Sequence, residues 1–233
     1  MAIMHMLRED AYQVPTFHTG KEFILYDALE SKLPSDYHVF YSVNFINNLI
    51  FDNEADFIIF HPKKGFLVIE AKSGNDITYK NNCWYYSNNV KMNPFSQVRR
   101  IKHNLIDKIK DKNPDIVNNS IFTACVWFHE MDKDAVNTNN LPLEVDEHLL
   151  LTSEALLEPE IYINKIFSKI DKKSNLNSSQ TKFVINLLES FCFAVCFWRW
   201  HFQVFQSLRK RFMLVFRKNL RLIKLTVSWG ISL

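Results

Sequence analysis

The sequence predicts an α/β protein with a mixed central β-sheet flanked by helices. Residues 56–72 hold two apolar runs rich in Ile, Val and Phe, joined by His-Pro-Lys-Lys-Gly, which indicates a strand hairpin. A predicted helix precedes this hairpin at 19–33 and another follows it at 94–112, and an unbroken apolar run at 121–128 indicates a buried strand. Helices and strands in this order are typical of a sheet covered by helices.

The chain ahead of the hairpin begins with a polar lead-in, residues 1–18, in which Pro15 acts as a stop. A helix follows over 19–33, with an apolar stripe made of Leu25, Ala28, Leu29 and Leu33. Residues 38–45 predict a first strand, and Asn47-Asn48 predicts a turn after it.

A second hairpin is predicted over 76–92, with its turn at Asn81-Asn82. A long helix then begins at Asn93-Pro94, because Asn is a favourable N-cap and Pro fits the first helical position. Its spacing predicts one buried face, formed by Val98, Ile101, Leu105 and Ile109. A short strand at 149–151 and a helix at 153–169 complete the predicted core.

The first hairpin carries two carboxylates and an ammonium group at one end. Side chains alternate along a strand, so Glu70 and Lys72 share a face, and the turn at 62–65 brings Asp56 back toward that end. Carboxylate oxygens suit Mg²⁺ or Mn²⁺, so this strand end can hold a divalent metal and activate a water. The alternative is a surface salt-bridge cluster, since an Asp followed by Glu-x-Lys also occurs by chance.

An Asp followed by Glu-x-Lys across a hairpin, here Asp56 and Glu70-Ala71-Lys72, resembles the signature of the PD-(D/E)xK nuclease superfamily. The surrounding residues are more specifically similar to the nuclease-related domain, NERD. The residues that match the pattern of that family are Gly20-x-Glu22, Gly74, Trp84 and Asn93-Pro94-x-x-Gln97. The resemblance implies a restriction-endonuclease-like core that hydrolyses DNA phosphodiester bonds with Mg²⁺ or Mn²⁺, without a small-molecule cofactor.

The resemblance covers roughly residues 19–109, and we place the nuclease-like domain at residues 19–170. It assigns the site to Asp56, Glu70, Lys72, Gln97 and Glu22. Asp56 and Glu70 would be the metal ligands, and the backbone carbonyl of Ala71 is a candidate third ligand. Lys72 would orient the attacking water and stabilise charge on the phosphate. Gln97 and Glu22 would position the water or a second metal.

Two of these residues also have a structural interpretation. Glu22 can pair with Thr19 in a capping box, or it can face the same site as Asp56. Lys21 stands where the family often has glycine, which weakens the functional interpretation of Glu22. Gln97 precedes Ile101 by four residues and so lies on the buried face, either as an ordinary half-buried amide or as a site residue.

The charge distribution argues for caution about tight DNA binding. Eight of the 28 basic residues follow Glu189, so residues 1–189 hold 20 basic against 25 acidic residues, a net charge of −5. That balance provides no broad basic groove for the phosphate backbone. Local candidates for phosphate contact are Lys63, Lys64, Arg99, Arg100 and Lys102. A catalytically silent DNA-binding or interaction module of the same fold is therefore the alternative function.

The four cysteines form no CxxC pair and no zinc spacing with histidine, which indicates reduced thiols and a cytoplasmic protein. The early charged residues at positions 8–10 exclude a secretory h-region, and no run reaches the ~20 apolar residues of a membrane span. Membrane association is therefore not expected, and the oligomeric state is left open.

The end of the sequence differs from the rest. Residues 171–190 predict a linker and a helix, and the string Leu176 to Ile185 resembles the start of a superfamily-1 helicase domain, where a glutamine contacts adenine. With only four glycines in the chain, no phosphate-binding loop can follow. Residues 191–233 are aromatic and basic, which predicts a frameshifted or otherwise aberrant tail of a truncated nuclease–helicase fusion, or else an amphipathic segment for membrane or nucleic acid.

Overall fold

The computed structural model describes residues 1–45, 54–80, 83–85, 91–135 and 145–192 of the 233-residue chain. Nine strands form in this part of the chain: β1 (Ile3–Met4), β2 (His38–Asn44), β3 (Glu54–His61), β4 (Gly65–Lys72), β5 (Thr78–Lys80), β6 (Cys83–Tyr85), β7 (Lys91–Met92), β8 (Phe122–Phe128) and β9 (Leu150–Leu151). The helices are α1 (Arg8–Ala11), α2 (Pro15–Thr19), α3 (Glu22–Lys32), α4 (Pro94–Lys110), α5 (Pro114–Asn118), α6 (Pro159–Ser168) and α7 (residues 178–192).

The central sheet has six strands in the order β1-β2-β3-β4-β8-β9. Strands β2, β3 and β4 pair antiparallel, whereas β1 pairs with β2, and β8 with β4 and β9, in parallel. Helix α4 packs against β4 and β8, and α3 packs against β2 and α6. The predicted mixed sheet flanked by helices is confirmed. Because β4 and β8 run parallel, their carboxyl ends meet at one edge of the sheet.

The β3–β4 hairpin forms as predicted, with pairs from Phe57–Ile69 to His61–Gly65. Gly65 has a positive φ of 107°, and a side chain there would clash with the Ile121 carbonyl and approach its Cβ to 2.9 Å. That carbonyl accepts a hydrogen bond from Phe66 N–H at 2.8 Å. A residue without a side chain is therefore required where the hairpin meets the start of β8.

The N-terminal segment is more than a lead-in. Strand β1 extends the sheet beyond β2, and the Met6 carbonyl accepts a hydrogen bond from Tyr26 Oη at 2.7 Å. Pro15 begins helix α2 instead of stopping the chain, because proline at the first helical position loses no intrahelical hydrogen bond. Helix α3 starts after a break at Gly20 and Lys21, so the helix predicted from residue 19 begins at Glu22.

Helix α4 agrees closely with its prediction. The Asn93 side chain accepts a hydrogen bond from Ser96 N–H at 3.0 Å, as an N-cap does, and Pro94 is the first helical residue. The helix ends at Lys110, two residues before the predicted end. Its predicted apolar stripe is buried, with Val98, Ile101, Leu105 and Ile109 each at most 1% exposed.

Two predicted elements differ in the structure. The helix expected over 153–169 is divided into a 3₁₀ turn, Ser153–Leu156, and α6, because Pro159 cannot continue a helix from the preceding turn but can start one. The hairpin expected over 76–92 is a three-stranded antiparallel sheet, β5-β6-β7. The predicted turns at 47–48 and 81–82 lie outside the described residues.

The last described helix, α7, belongs to the same compact unit as the sheet, which spans Met1–Cys192. Its start is a reciprocal cap: Gln180 N–H donates to Asn177 Oδ1 at 2.9 Å, and Asn177 N–H donates to Gln180 Oε1 at 3.1 Å. Its buried side is formed by Val184, Leu188 and Cys192.

Helix α7 also contacts the sheet through polar and aromatic side chains. Glu189 Oε1 lies 2.9 Å from His5 Nδ1, and the Phe191 ring lies 5.3 Å from that of Phe45. The predicted tail from residue 193 onward lies outside the described residues. Within the described ranges, no helix has both the length and the apolar character needed to cross a bilayer.

Candidate active site

A pocket of about 430 Å³ lies at the carboxyl end of β4. It is lined by Thr16, Glu22, Glu54, Asp56, Glu70, Ala71, Lys72, Gln97 and Arg100. The structure therefore brings together all five residues that the sequence predicted for the site. They come from the start of α3, from both strands of the hairpin and from the first turn of α4. Their catalytic roles stay a prediction.

Glu70 and Lys72 form an ion pair at the wall of this pocket. Glu70 Oε1 accepts a hydrogen bond from Lys72 Nζ, and the Glu70 side chain is only 1% exposed. Burial raises the pKa of the Glu70 carboxyl, although the Lys72 ammonium opposes this shift. The second oxygen, Glu70 Oε2, is buried without a hydrogen-bond partner. A surface salt-bridge cluster does not fit a carboxylate that is buried in this way.

Asp56 stands opposite Glu70 across the hairpin. Its Oδ2 accepts a hydrogen bond from the Ala71 backbone N–H at 2.7 Å. Desolvation by burial, followed by the charges of Glu70 and Glu22, raises the pKa of Asp56 well above its ordinary value, against the opposing effect of Lys72. In the absence of a cation, the cluster of carboxylates therefore favours a bound proton at Asp56.

Glu22 faces this cluster and is not part of a capping box. Its Oε2 accepts hydrogen bonds from Tyr41 Oη at 2.6 Å and from Thr16 Oγ1 at 2.9 Å. The N-cap of α3 is Lys21, so Glu22 is the first helical residue, whereas a capping box needs its glutamate at the third. The predicted capping box with Thr19 as its N-cap therefore does not form. Burial raises the pKa of the Glu22 carboxyl.

The Gly-x-Glu pattern of this segment has a steric reason. A Cβ on Gly20 would lie 2.8 Å from the Thr16 carbonyl oxygen and 3.2 Å from Glu22 Oε1. Thr16 and Glu22 both line the pocket. Glycine at this position thus lets the backbone pass close behind the Glu22 carboxylate.

The residue between them, Lys21, is held in the left-handed region with φ 53°. This is the position at which the resembled family often has glycine. We expect Lys21→Gly to stabilise the fold by about 1 kcal/mol relative to Lys21→Ala, since both lose the lysine side chain and only glycine adopts this backbone freely. Urea unfolding of the two variants measures the difference.

The control for Lys21 is Lys32, the last residue of α3, whose backbone is helical. There the same pair of substitutions should give the opposite order, with alanine more stable than glycine by about 1 kcal/mol. Equal stabilities of Lys21→Gly and Lys21→Ala would contradict a left-handed Lys21.

Helix α4 supplies the remaining polar groups of the pocket, Gln97 and Arg100. Of the five basic residues predicted to contact phosphate, only Arg100 lines the pocket. Lys63 and Lys64 lie in the turn before β4, whose first residue, Gly65, is roughly 23 Å from Lys72 across seven strand steps. Lys64 Nζ donates to Asn164 Oδ1 at 2.8 Å and to Tyr37 Oη, which gives it a structural role.

The sequence reasoning missed Glu54, the fourth carboxylate of the pocket. Its signal was available, because residues two apart on a strand share a face and Glu54 precedes Asp56 by two. It missed Ser42 as well, a buried residue with φ 53° within β2 that donates a hydrogen bond to Glu54. No sequence signal marks a serine with this backbone. Such strained residues occur often at functional sites.

The residues present fit a cation held by two carboxylates. Among the described residues, no three Asp, Glu, His or Cys side chains converge as a complete three-ligand metal site. Mg²⁺ commonly takes only one or two protein carboxylates and keeps several waters. The unpartnered Glu70 Oε2, and the neighbouring carboxylates that raise the pKa of Asp56, both fit a site that a cation would complete.

One family model matches part of the chain. Residues 18–129 match the family model described as NERD, nuclease-related domain, which covers just under half of the chain. No curated protein and no solved structure matches the chain. The matched segment contains α3, the β3–β4 hairpin, α4 and β8, with every predicted site residue. Residues 18–129 are thus similar to the nuclease-related domain family.

Proposed function

We propose that the chain is a divalent-metal-dependent phosphodiesterase that hydrolyses DNA. The observation that carries this proposal is Glu70 Oε2, a buried carboxylate oxygen without a hydrogen-bond partner, in a pocket shared with Asp56 and Lys72. An unsatisfied buried oxygen is costly, so its presence beside a second carboxylate favours a cation as the missing partner.

Asp56 and Glu70 would hold Mg²⁺ or Mn²⁺, which supplies Lewis acidity and lowers the pKa of a bound water. Both carboxyl groups must release their protons before they can act as ligands, so metal affinity should rise with pH. The Ala71 N–H keeps Asp56 Oδ2 in place by a direct hydrogen bond, which leaves the other oxygen to act as ligand.

The other residues of the pocket would act on the water and the phosphate. Lys72 lies beside Glu70 and would orient the water and stabilise negative charge on the phosphate. Arg100 presents the pocket's guanidinium group, which suits a phosphate oxygen. Glu22 is held by two hydroxyl groups and would accept a hydrogen bond from the water, with Gln97 in a supporting role.

A cleavage assay tests the proposal. Purified protein should cut supercoiled, linear or single-stranded DNA in the presence of Mg²⁺ or Mn²⁺ and lose all activity in EDTA. Isothermal titration with Mn²⁺ should show binding, with higher affinity at pH 8 than at pH 6. Cleavage that persists in EDTA, or the absence of both cleavage and Mn²⁺ binding, would overturn the proposal.

The alternative is a catalytically silent DNA-binding or interaction module of the same fold. It is favoured by the net charge of −5 on residues 1–189, which gives no broad basic groove. That alternative predicts DNA or protein binding that is independent of metal, and no cleavage of any DNA form.

A link to a nuclease–helicase fusion is a further proposal, supported by the sequence string at 176–188 alone. The Gln180 side chain accepts a hydrogen bond from the backbone N–H of Asn177. It therefore caps α7 and is not free to contact an adenine. We infer no helicase or ATPase activity for the chain. Translation of the other reading frames tests the link, because a phosphate-binding loop should follow in one of them.

The cellular compartment is likewise a proposal. Cys83, Cys125 and Cys192 are free thiols in the described part of the chain, which supports a reducing, cytoplasmic location.

A further inference from the structure

Glu130 connects two loops that flank the candidate active site. It follows the end of β8 by two residues and lies one residue beyond the segment that matches the family model. One carboxylate oxygen, Oε1, accepts a hydrogen bond from Lys21 Nζ. The other, Oε2, accepts one from the Gly74 backbone N–H at 2.8 Å. A single side chain thus bridges two segments that are far apart in sequence.

Both bridged segments lead directly into site residues. Lys21 is the N-cap of α3 and immediately precedes Glu22. Gly74 follows Lys72 by two residues, just after β4 ends. The distance between these two site residues therefore depends on two backbone turns and on whatever holds the turns together.

Both turns have a backbone that ordinary chain segments avoid. Lys21 has φ 53° and Gly74 has φ 106°. The left-handed region is unfavourable for a residue that carries a Cβ, so contacts from outside the segment are needed to favour it at Lys21. The ion pair between Lys21 and Glu130 is one such contact.

The electrostatics of Glu130 differ from those of the pocket carboxylates. Burial would raise the pKa of Glu130, but the hydrogen bonds from Lys21 and from the Gly74 N–H outweigh it, and the pKa is lowered. Glu130 is therefore ionised near neutral pH, whereas the pKa values of Asp56 and Glu70 are raised. A carboxylate that stays charged can hold both loops whether or not the pocket is protonated.

The neighbouring residue supports the same turn. The His129 side chain is buried, and the backbone of Gly20 lies close enough to affect the pKa of its ring. Burial is the main cause that lowers this pKa, so the ring is neutral at pH 7. His129 and Glu130 thus both lie beside the turn that presents Glu22.

We propose that Glu130 is a positioning residue of the candidate active site, which fixes Glu22 relative to Lys72 by bridging Lys21 and Gly74. It lies outside the pocket lining and acts through these two loops. This inference rests on the nuclease function proposed above. It explains why both carboxylate oxygens are engaged, Oε1 by the Lys21 ammonium and Oε2 by the Gly74 N–H, which a solvated surface pair does not require.

The test compares Glu130→Ala, Glu130→Gln and a control, Glu147→Ala, in the full chain. Glu147 pairs with Lys133 at 3.9 Å and lies outside the pocket, so its replacement removes the same charge elsewhere. Glu130→Ala should reduce kcat for DNA cleavage and the affinity for Mn²⁺, measured by electron paramagnetic resonance, each about tenfold. Glu130→Gln keeps an acceptor for Gly74 and should lose less. The melting temperatures of all three should stay within a few degrees of the wild type.

A second readout does not depend on metal or activity. In Glu130→Ala, backbone amides at 20–23 and 72–75 should exchange hydrogen faster than in the wild type, and in Glu147→Ala they should not. Unchanged exchange at both loops would overturn the positioning role. If the wild type neither binds Mn²⁺ nor cuts DNA, the nuclease function fails, while the exchange data still decide whether Glu130 fixes the two loops.

Discussion

Lys72→Ala and Asp56→Asn are each expected to lower metal-dependent DNA cleavage at least about a hundredfold. Removal of one group that stabilises developing charge in a water-excluded site commonly costs this much in kcat. Lys72 is the ammonium paired with Glu70, and Asp56 is the second carboxylate of the proposed metal site. Asp56→Asn keeps the shape of the side chain and removes a charged ligand, so loss of Mn²⁺ affinity should accompany loss of cleavage.

The measurement is single-turnover cleavage of a labelled duplex, with melting temperatures recorded for every variant. Lys112→Ala and Asp115→Ala provide matched controls, because both residues are exposed and lie outside the pocket. The controls should cleave at the wild-type rate. Wild-type activity in both Lys72→Ala and Asp56→Asn would remove the pocket as the site of chemistry and leave the silent module as the better function.

The second large effect concerns stability without metal. We expect Asp56→Asn to raise the free energy of unfolding of the metal-free protein near pH 8 by about 1–3 kcal/mol, the scale of a poorly compensated buried group. The cause is the repulsion and desolvation that raise the pKa values of Asp56, Glu70 and Glu22. The asparagine amide carries no charge, so the substitution reduces the repulsion and the desolvation cost within the carboxylate cluster.

The sign of the pH dependence follows from the same shifts. A carboxyl whose folded pKa is raised binds its proton more tightly in the folded state, so it stabilises the fold below the unfolded pKa near 4. That contribution is lost as the pH rises through the folded pKa. The advantage of Asp56→Asn over the wild type should therefore grow from pH 5 to pH 8.

Urea unfolding in EDTA at several pH values measures this difference. Saturating Mn²⁺ should then stabilise the wild type much more than Asp56→Asn, since ligand binding to the folded state adds to its stability. A difference that is constant with pH, or that shrinks as the pH rises, would show that Asp56 is not a destabilised carboxylate.

The hairpin and α4 could be predicted because their signals are local. Alternating faces place Glu70 beside Lys72, and the Asn93 cap with its 3.6-residue stripe fixes α4 without knowledge of the rest of the fold. Asp56 joins Glu70 because a hairpin closes on itself. These parts of the site can be predicted from strand and helix periodicity alone.

The other parts depend on contacts between distant segments. Strand β1 forms because β2 offers it a parallel edge, and nothing in Ile3–Met4 alone specifies a strand. A proline such as Pro15 can either end a helix or begin one. In the structure it begins α2, and Phe17 of that helix packs against Tyr26 and Tyr41. The hydrogen bond from Tyr41 to Glu22, which holds the carboxylate at the pocket, joins residues 19 apart in the chain.

The docking of α7 bears on how the protein is to be divided for study. A fragment that ended at residue 170, where the sequence analysis places the end of the nuclease-like domain, would lack the helix. Its removal would uncover the His5 and Phe45 side chains, which contact Glu189 and Phe191, and the apolar surface against Val184 and Leu188. Newly exposed apolar surface promotes aggregation. Recombinant fragments meant for crystallisation or assay should therefore extend through Cys192.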